Sequence, residues 1–392
     1  MWNFNKFNKW DKEGRPINEN VFELDLSNLN IETLGNLENL INLEELYCIN
    51  NQLTSLDGIK NLLNLKILNC SCNQLTSLEE IKNLVNLKDL YCNNNKLTSL
   101  EEIENLINLK VLYCSNNQLT SLEGIENLAN LKEISCNNIQ LTSLKGIENL
   151  VNLEKIDCGN NQLTSLEGME NLVNLVTLYC NNNQLTTFKG IENLVNLGKF
   201  HCSNNQLISL EGIENLVKLI NLYCYKNQLT SLEGIQNLIN LKELYCHNNQ
   251  LTSLEGIENL VKLINLHCYK NQLTSLEGIQ NSINLKELYC HNNQLTSLEG
   301  MENFVNLEYL NCKNNKLTAL EGIEILTNLI KNNKKIISNL HYDFVDYKDF
   351  IELYNLFFNF VKYKNNNKID KYIEDMEKTI KELNGFQNYI LK

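Results

Sequence analysis

The sequence is nearly devoid of proline and arginine. Pro16 is the only proline and Arg15 the only arginine among 392 residues, so almost all positive charge is lysine. Asparagine and lysine in place of arginine point to AT-rich coding, a statement about genome rather than mechanism. No part of Met1–Asn20 carries the apolar core of a secretory signal, and no uninterrupted apolar run approaches the roughly 18 residues needed to span a bilayer. The expectation is a protein without membrane contact, retained in a cell, whether in its cytoplasm, a host cytoplasm or a virion. A formal charge of −13 leaves no clustered basic surface to neutralise phosphates, which argues against general nucleic-acid binding. Catalytic constellations are also missing: there is no Ser/His/Asp, Cys/His or phosphate-loop arrangement, and no cysteine follows Cys312.

What the sequence does have is repetition. From Val21 it repeats every 22 residues without insertion or deletion, giving fourteen complete units before Leu329 opens an unfinished fifteenth. Leu241–Lys262 is typical and reads LKELYCHNNQLTSLEGIENLVK. Within L-x-x-L-x-C the apolar anchors at the fourth and sixth positions alternate with polar ones, the period-two pattern of a short strand. One unit cannot cover its own apolar face, so units must stack into a quasi-one-dimensional solenoid. Asn at the ninth position, from Asn51 to Asn315, should end each strand by satisfying backbone groups of the turn, and Ile139 alone breaks that column among the cysteine-containing units, where a local defect is expected. The spacing of three in LTSLEGIENLVN predicts tight 3₁₀-like turns. Gly58, Gly124 and their equivalents suggest a bend there, although Glu80 and Glu102 replace that glycine.

These residues resemble the leucine-rich-repeat family, specifically the 22-residue class of internalins and of the regulatory subunit of protein phosphatase 1, over about four fifths of the chain. The resemblance implies an α/β solenoid bent into a horseshoe, with a parallel sheet on its concave face, 3₁₀ turns on the convex side, and protein–protein interaction through the concave face. One departure is systematic, since the third anchor is Cys where the family usually has Leu. The Asn/Lys-rich style also resembles families encoded by large DNA viruses and AT-rich microbes.

Thirteen of the fourteen cysteines form one ladder from Cys48 to Cys312, and Cys72 stands outside it. Neighbouring parallel strands lie about 4.8 Å apart, but their Cβ vectors do not converge as a disulfide requires. Without CxxC pairs the thiols cannot easily converge on one zinc ion. The ladder therefore reads as small buried hydrophobes, with no cofactor or metal, and Cys72 reads as more exposed.

The third, fifth and seventh positions of each unit should face solvent. In the later repeats two of these columns become aromatic, with Tyr223, Tyr245, His267 and Tyr289 in one and Tyr225, His247, Tyr269 and His291 in the other. Tyr is enriched at binding hot spots, which makes these eight residues the candidate partner-binding face. A second reading stands beside it: residues 207–250 and 251–294 agree at 41 of 44 positions, so the cluster partly copies one double unit, and aromatics also pack cross-strand on their own account. His247 and His267 are diagonal neighbours, which backbone spacing puts roughly 8 Å apart and too far to share a metal.

Three segments follow: 1–20 as an N-terminal cap carrying Trp2, Phe4, Phe7 and Trp10; 21–330 as the solenoid; and 331–392 as a helical C-terminal cap or partner-binding segment, with amphipathic helices over Phe344–Val361 and Ile369–Leu383. The function expected is that of a non-enzymatic, monomeric scaffold for a protein partner whose identity the sequence does not reveal. A self-assembling structural or virion protein and a regulatory subunit of an enzyme are the alternatives.

Overall fold

The computed structural model describes residues 2–301, 304–317 and the backbone of 340–341, and it divides into two compact units, Met1–Gln206 and Leu207–Lys392. The first unit contains three-residue strands at 22-residue intervals, from β1 (Glu23–Asp25) and β2 (Glu45–Tyr47) to β9 (Lys199–His201). The second contains β10 (Asn221–Tyr223), β11 (Glu243–Tyr245), β12 (Asn265–His267), β13 (Glu287–Tyr289) and β14 (Tyr309–Asn311). Within each unit successive strands pair in parallel, one repeat apart, as Leu24 with Leu46 and Leu244 with Leu266. After β14 the spacing changes. Leu310 pairs with Leu340 of β15 (Leu340–His341), 30 residues on, so these two residues of the expected helical segment are strand. The helices expected over Phe344–Val361 and Ile369–Leu383 lie outside the described residues.

The three-residue strands follow from their pattern, since each buries its central residue between two half-buried ones. Leu or Ile fills that central place, with Phe200 in β9. Behind the strands the Leu, Ile and Cys anchors are fully buried in register with their copies in adjoining repeats, so each repeat covers the apolar face its neighbour cannot. The turn segment closes with three-residue bonds such as Leu62 N–H to the Ile59 carbonyl (2.9 Å) and Leu65 N–H to the Leu62 carbonyl (2.9 Å). Two 3₁₀ helices, Glu79–Ile81 and Glu101–Ile103, occur where Glu80 and Glu102 take the place of glycine. Elsewhere the glycine is needed: Gly124 has φ +102°, and a Cβ there would lie 2.4 Å from the Leu100 carbonyl oxygen.

The asparagine column does what its position predicts. Asn183 donates from Nδ2 to the carbonyls of Cys158 and Cys180, both at 3.1 Å, while its Oδ1 accepts from Leu163 N–H at 2.9 Å. Ile139 does not open a gap. It is fully buried, Gln140 takes a left-handed φ of +65°, and Asn161 Oδ1 accepts from both Ile139 and Leu141. The first repeat, with Leu29 at the same position, uses the same arrangement: Asn30 has φ +59° and Asn51 accepts from Leu29 and Ile31.

At the N-terminus, helix α1 (Phe4–Lys12) is capped by Asn3 Oδ1, which accepts from Lys6 N–H, and it buries Phe7 and Trp10. Trp2 pairs in parallel with Leu24 of β1. The lone arginine ties this segment to the first repeat: Arg15 bonds Asp11 at 2.6 Å and the Asn36 carbonyl at 2.7 Å, and it lies 5.6 Å from the ring centroids of Phe7 and Trp10. Phe4, grouped with these aromatics by sequence, is exposed.

Candidate partner-binding face

The period-two strand sends the fourth and sixth residues of each repeat into the core and leaves the third, fifth and seventh on the opposite face. Because parallel strands repeat in register, identical columns meet their own copies about 4.8 Å away, close to the spacing at which flat rings stack. In the second unit this geometry assembles all eight candidate residues into two rows. In the seventh-position row Tyr225, His247, Tyr269 and His291 are stacked, with successive centroids 4.4, 4.2 and 4.3 Å apart and planes within 12°. In the fifth-position row Tyr245 stacks on His267 at 3.9 Å and 3°, while Tyr223 meets Tyr245 edge-on at 4.9 Å and Tyr289 tilts against His267 at 4.2 Å.

The stacking consumes ring faces. Ring faces turned toward a stacked neighbour are covered, which leaves ring edges and tyrosine hydroxyls as the groups available there. The rows also touch each other, with His247 and His267 centroids 6.2 Å apart, closer than backbone spacing alone suggests. Among the described residues no group of three or more His, Cys, Asp or Glu is placed to hold a metal ion.

Packing changes the character of the histidines. His247 is 7% exposed and is thus buried rather than solvent-facing, and His267 is half-buried. Burial first, and then the neighbouring His267 and Lys226, push the His247 imidazole down to about 4. Burial also takes His267 down to about 4, against an opposing pull from Glu243. So lowered, both rings are neutral at pH 7. His247 Nδ1, His267 Nε2 and His291 Nδ1 are buried without a hydrogen-bond partner. Tyr223 donates its hydroxyl to Glu243 Oε2 at 2.5 Å, and Lys226 and Lys270 stand exposed beside the seventh-position row.

One member was missed by reading columns separately. Tyr309, the first residue of β14, occupies the third position of its repeat, yet its ring stacks on Tyr289 at 4.6 Å and 24°, extending the fifth-position row past Asn311. An aromatic at any outward position beside a gap in the row is the signal that would have found it. The first unit has shorter aromatic runs, Tyr91 with Tyr113 at 5.2 Å and Tyr179 with His201 at 6.1 Å, and its seventh column is mainly small and polar.

The cysteine ladder lies behind this face as free, fully buried thiols, and Cys72 is exposed at a left-handed φ of +58°. Sγ of Cys48, Cys70, Cys92, Cys114 and Cys158 sits near a carbonyl of the next strand, Cys92 at 3.3 Å from that of Tyr113. Burial raises Cys70, Cys114 and Cys224 to about 12, so these thiols are not nucleophiles. No helix among the described residues is long and apolar enough to cross a membrane.

Comparison with known proteins agrees with this geometry. A family model described as leucine-rich repeats (2 copies) matches residues 63–105, 107–149, 151–196, 239–281 and 283–327, more than half of the chain. No curated protein sequence matches the chain. Among solved structures, the internalin InlF of Listeria monocytogenes superposes with a TM-score of 0.72 at 27% identity, covering 79% of this chain and 89% of that one. A leucine-rich-repeat protein of Leptospira interrogans gives 0.68 at 28% identity, covering 88% and 100%. The functional domain of InlJ from Listeria monocytogenes, described as including a cysteine ladder, gives 0.66 at 26% identity, covering 79% and 72%. With its 22-residue period, its in-register strands and its asparagine column, this chain belongs to the leucine-rich repeat family.

Proposed function

We propose that the chain is a non-enzymatic scaffold that holds a protein partner on the strand face of its second unit, across Tyr223, Tyr225, Tyr245, His247, His267, Tyr269, Tyr289 and His291. The observation that carries this reading is the mutual stacking of the two aromatic rows. Rings already fixed by their neighbours lose little conformational freedom when a partner arrives, and tyrosine hydroxyls at the ring edges supply hydrogen bonds around an apolar body. The family resemblance supports protein binding as the class of activity, and the buried, weakly acidic thiols offer no nucleophile for catalysis in the ladder.

The test is affinity capture from the native host by the wild-type chain and by Tyr245→Ala and Tyr269→Ala, with quantitative mass spectrometry and circular dichroism as the control for folding. A partner held by this face should lose about 1–2 kcal/mol of affinity in either variant. Tyr91→Ala, in the first unit where the aromatic run is a single pair with Tyr113, should lose less. A partner captured equally by all of these variants would remove the aromatic rows from its binding site.

A further inference from the structure

A second surface, unrelated to the aromatic rows, recurs along the first unit. There the penultimate residue of nearly every 22-residue repeat is a large apolar one standing half out of the protein: Ile41 is 41% exposed, Leu63 53%, Val85 45%, Ile107 53%, Val151 42% and Val173 44%. Val195 continues the column at 43%, and an exposed Ala129 fills the one place between Ile107 and Val151. The column is tied together from repeat to repeat, since Asn64 Nδ2 donates to the Ile41 carbonyl at 2.9 Å and Asn86 Nδ2 to the Leu63 carbonyl at 2.8 Å. These bonds link each member of the column to the next repeat, so the column forms an apolar stripe along the first unit.

What borders the stripe is as informative as its apolarity. Every residue following it in the first unit is asparagine, as Asn64, Asn86 and Asn108, and so is every residue two places before it, as Asn61, Asn83 and Asn105. Glu, Lys and Asp are common elsewhere on the surface but are absent from both bordering columns here. An apolar core with a polar, uncharged rim is the anatomy of a protein interface. At roughly 60–90 Å² of apolar surface per side chain the stripe exposes on the order of 500 Å², at the upper end of the largest patch a typical monomer shows, and such patches are often functional.

The geometry points to a second copy of this chain as that occupant, packed stripe to stripe about a two-fold axis through the first unit. A partner must offer apolar side chains at the same spacing over seven or eight repeats, and an identical stripe does so without any further requirement. The patch with its asparagine rim approaches the roughly 800 Å² per partner of a standard interface. The neutral rim matters because each copy carries a formal charge of −13. It keeps like charges apart at the contact, where salt, with a Debye length of about 8 Å at physiological ionic strength, screens those further away. A two-fold arrangement makes the contact self-complementary and closed.

Sedimentation velocity on the full chain, from low to high micromolar concentration under reducing conditions, tests this. Expected is a monomer–dimer equilibrium that tightens as salt is raised, the opposite of an interface held by ion pairs. Val85→Lys/Ile107→Lys/Val151→Lys should weaken it by at least about tenfold, with thermal unfolding little changed because these side chains are half-exposed. Should that variant misfold, Val85→Thr/Val151→Thr keeps shape and neutrality and should weaken the dimer by a smaller factor. A monomer at every concentration would overturn the proposal. So would a dimer indifferent to the stripe variants, one abolished by Tyr245→Ala instead, or stripe-dependent binding to phosphatidylcholine vesicles without dimerisation.

Discussion

Replacing Asn183 by leucine removes one rung of the asparagine column without opening space for water. Asn183 is 8% exposed; its Oδ1 is the acceptor for Leu163 N–H at 2.9 Å, and its Nδ2 serves the carbonyls of Cys158 and Cys180. The carbonyls have second donors, since Asn161 Nδ2 also reaches Cys158 at 3.0 Å and Asn205 Nδ2 reaches Cys180 at 3.1 Å. Leu163 N–H is the group left stranded, at a cost of about 1–3 kcal/mol, with roughly 0.5–1 kcal/mol more for each weakened carbonyl. The expected loss is about 2–4 kcal/mol. Urea unfolding followed by circular dichroism measures the loss, and native-state amide exchange locates it, because a repeat array can open locally. Loss below about 0.5 kcal/mol with the Leu163 amide still protected would refute the assignment of the column as the satisfier of buried backbone.

Other expectations test the thiols and the histidines. A thiol reagent should label Cys72 alone in native buffer and all fourteen cysteines in denaturant, since the ladder is fully buried and Cys72 is exposed; rapid native labelling of the ladder would contradict its inward placement. Cys180→Asp should cost at least about 3–5 kcal/mol or abolish folding, as a carboxylate without a partner enters a dry stack, whereas Cys180→Ala should cost far less; both would be read from thermal unfolding. For His247 and His267, pushed down to about 4 in the folded chain against about 6.5 unfolded, the unfolded state binds more protons between those values. Their contribution is thus complete above pH 6.5 and is lost as pH falls toward 4, by on the order of 2–5 kcal/mol in total. His247→Phe/His267→Phe should lose less stability between pH 7 and 4.5 than the wild type, and parallel pH profiles would dismiss the stacked imidazoles as the cause.

The repeat made most of the fold legible, because a fixed 22-residue period with one inward pattern allows a single way of stacking. Leu46, Cys48 and Asn51 could each be placed from one unit and then propagated through the rest. Local exceptions were harder. That Glu80 and Glu102 convert their turns to 3₁₀ helices, and that Ile139 is absorbed by a left-handed Gln140, depends on how the backbone redistributes hydrogen bonds when one residue changes. Position alone carries no record of that choice.

The candidate face shows where periodicity stops being informative. Alternation places His247 outward, and in a single strand it would be exposed; in the stacked array Tyr225 and Tyr269 cover both of its faces, 4.4 and 4.2 Å away, and bury it. Outward and exposed are therefore different properties once every outward column meets its own copies at ring-stacking distance. The consequence separates the two readings of the aromatic rows. Cross-strand packing accounts for buried faces and depressed imidazoles, and it predicts that Tyr269→Ala lowers stability by removing a stacked neighbour from both His247 and His291. Binding predicts a loss at ring edges that packing leaves uncovered. A tyrosine retained in the stack but altered only at its tip, as in Tyr269→Phe, keeps the packing and removes the hydroxyl, so a loss of affinity with unchanged stability in that variant would be attributable to recognition alone.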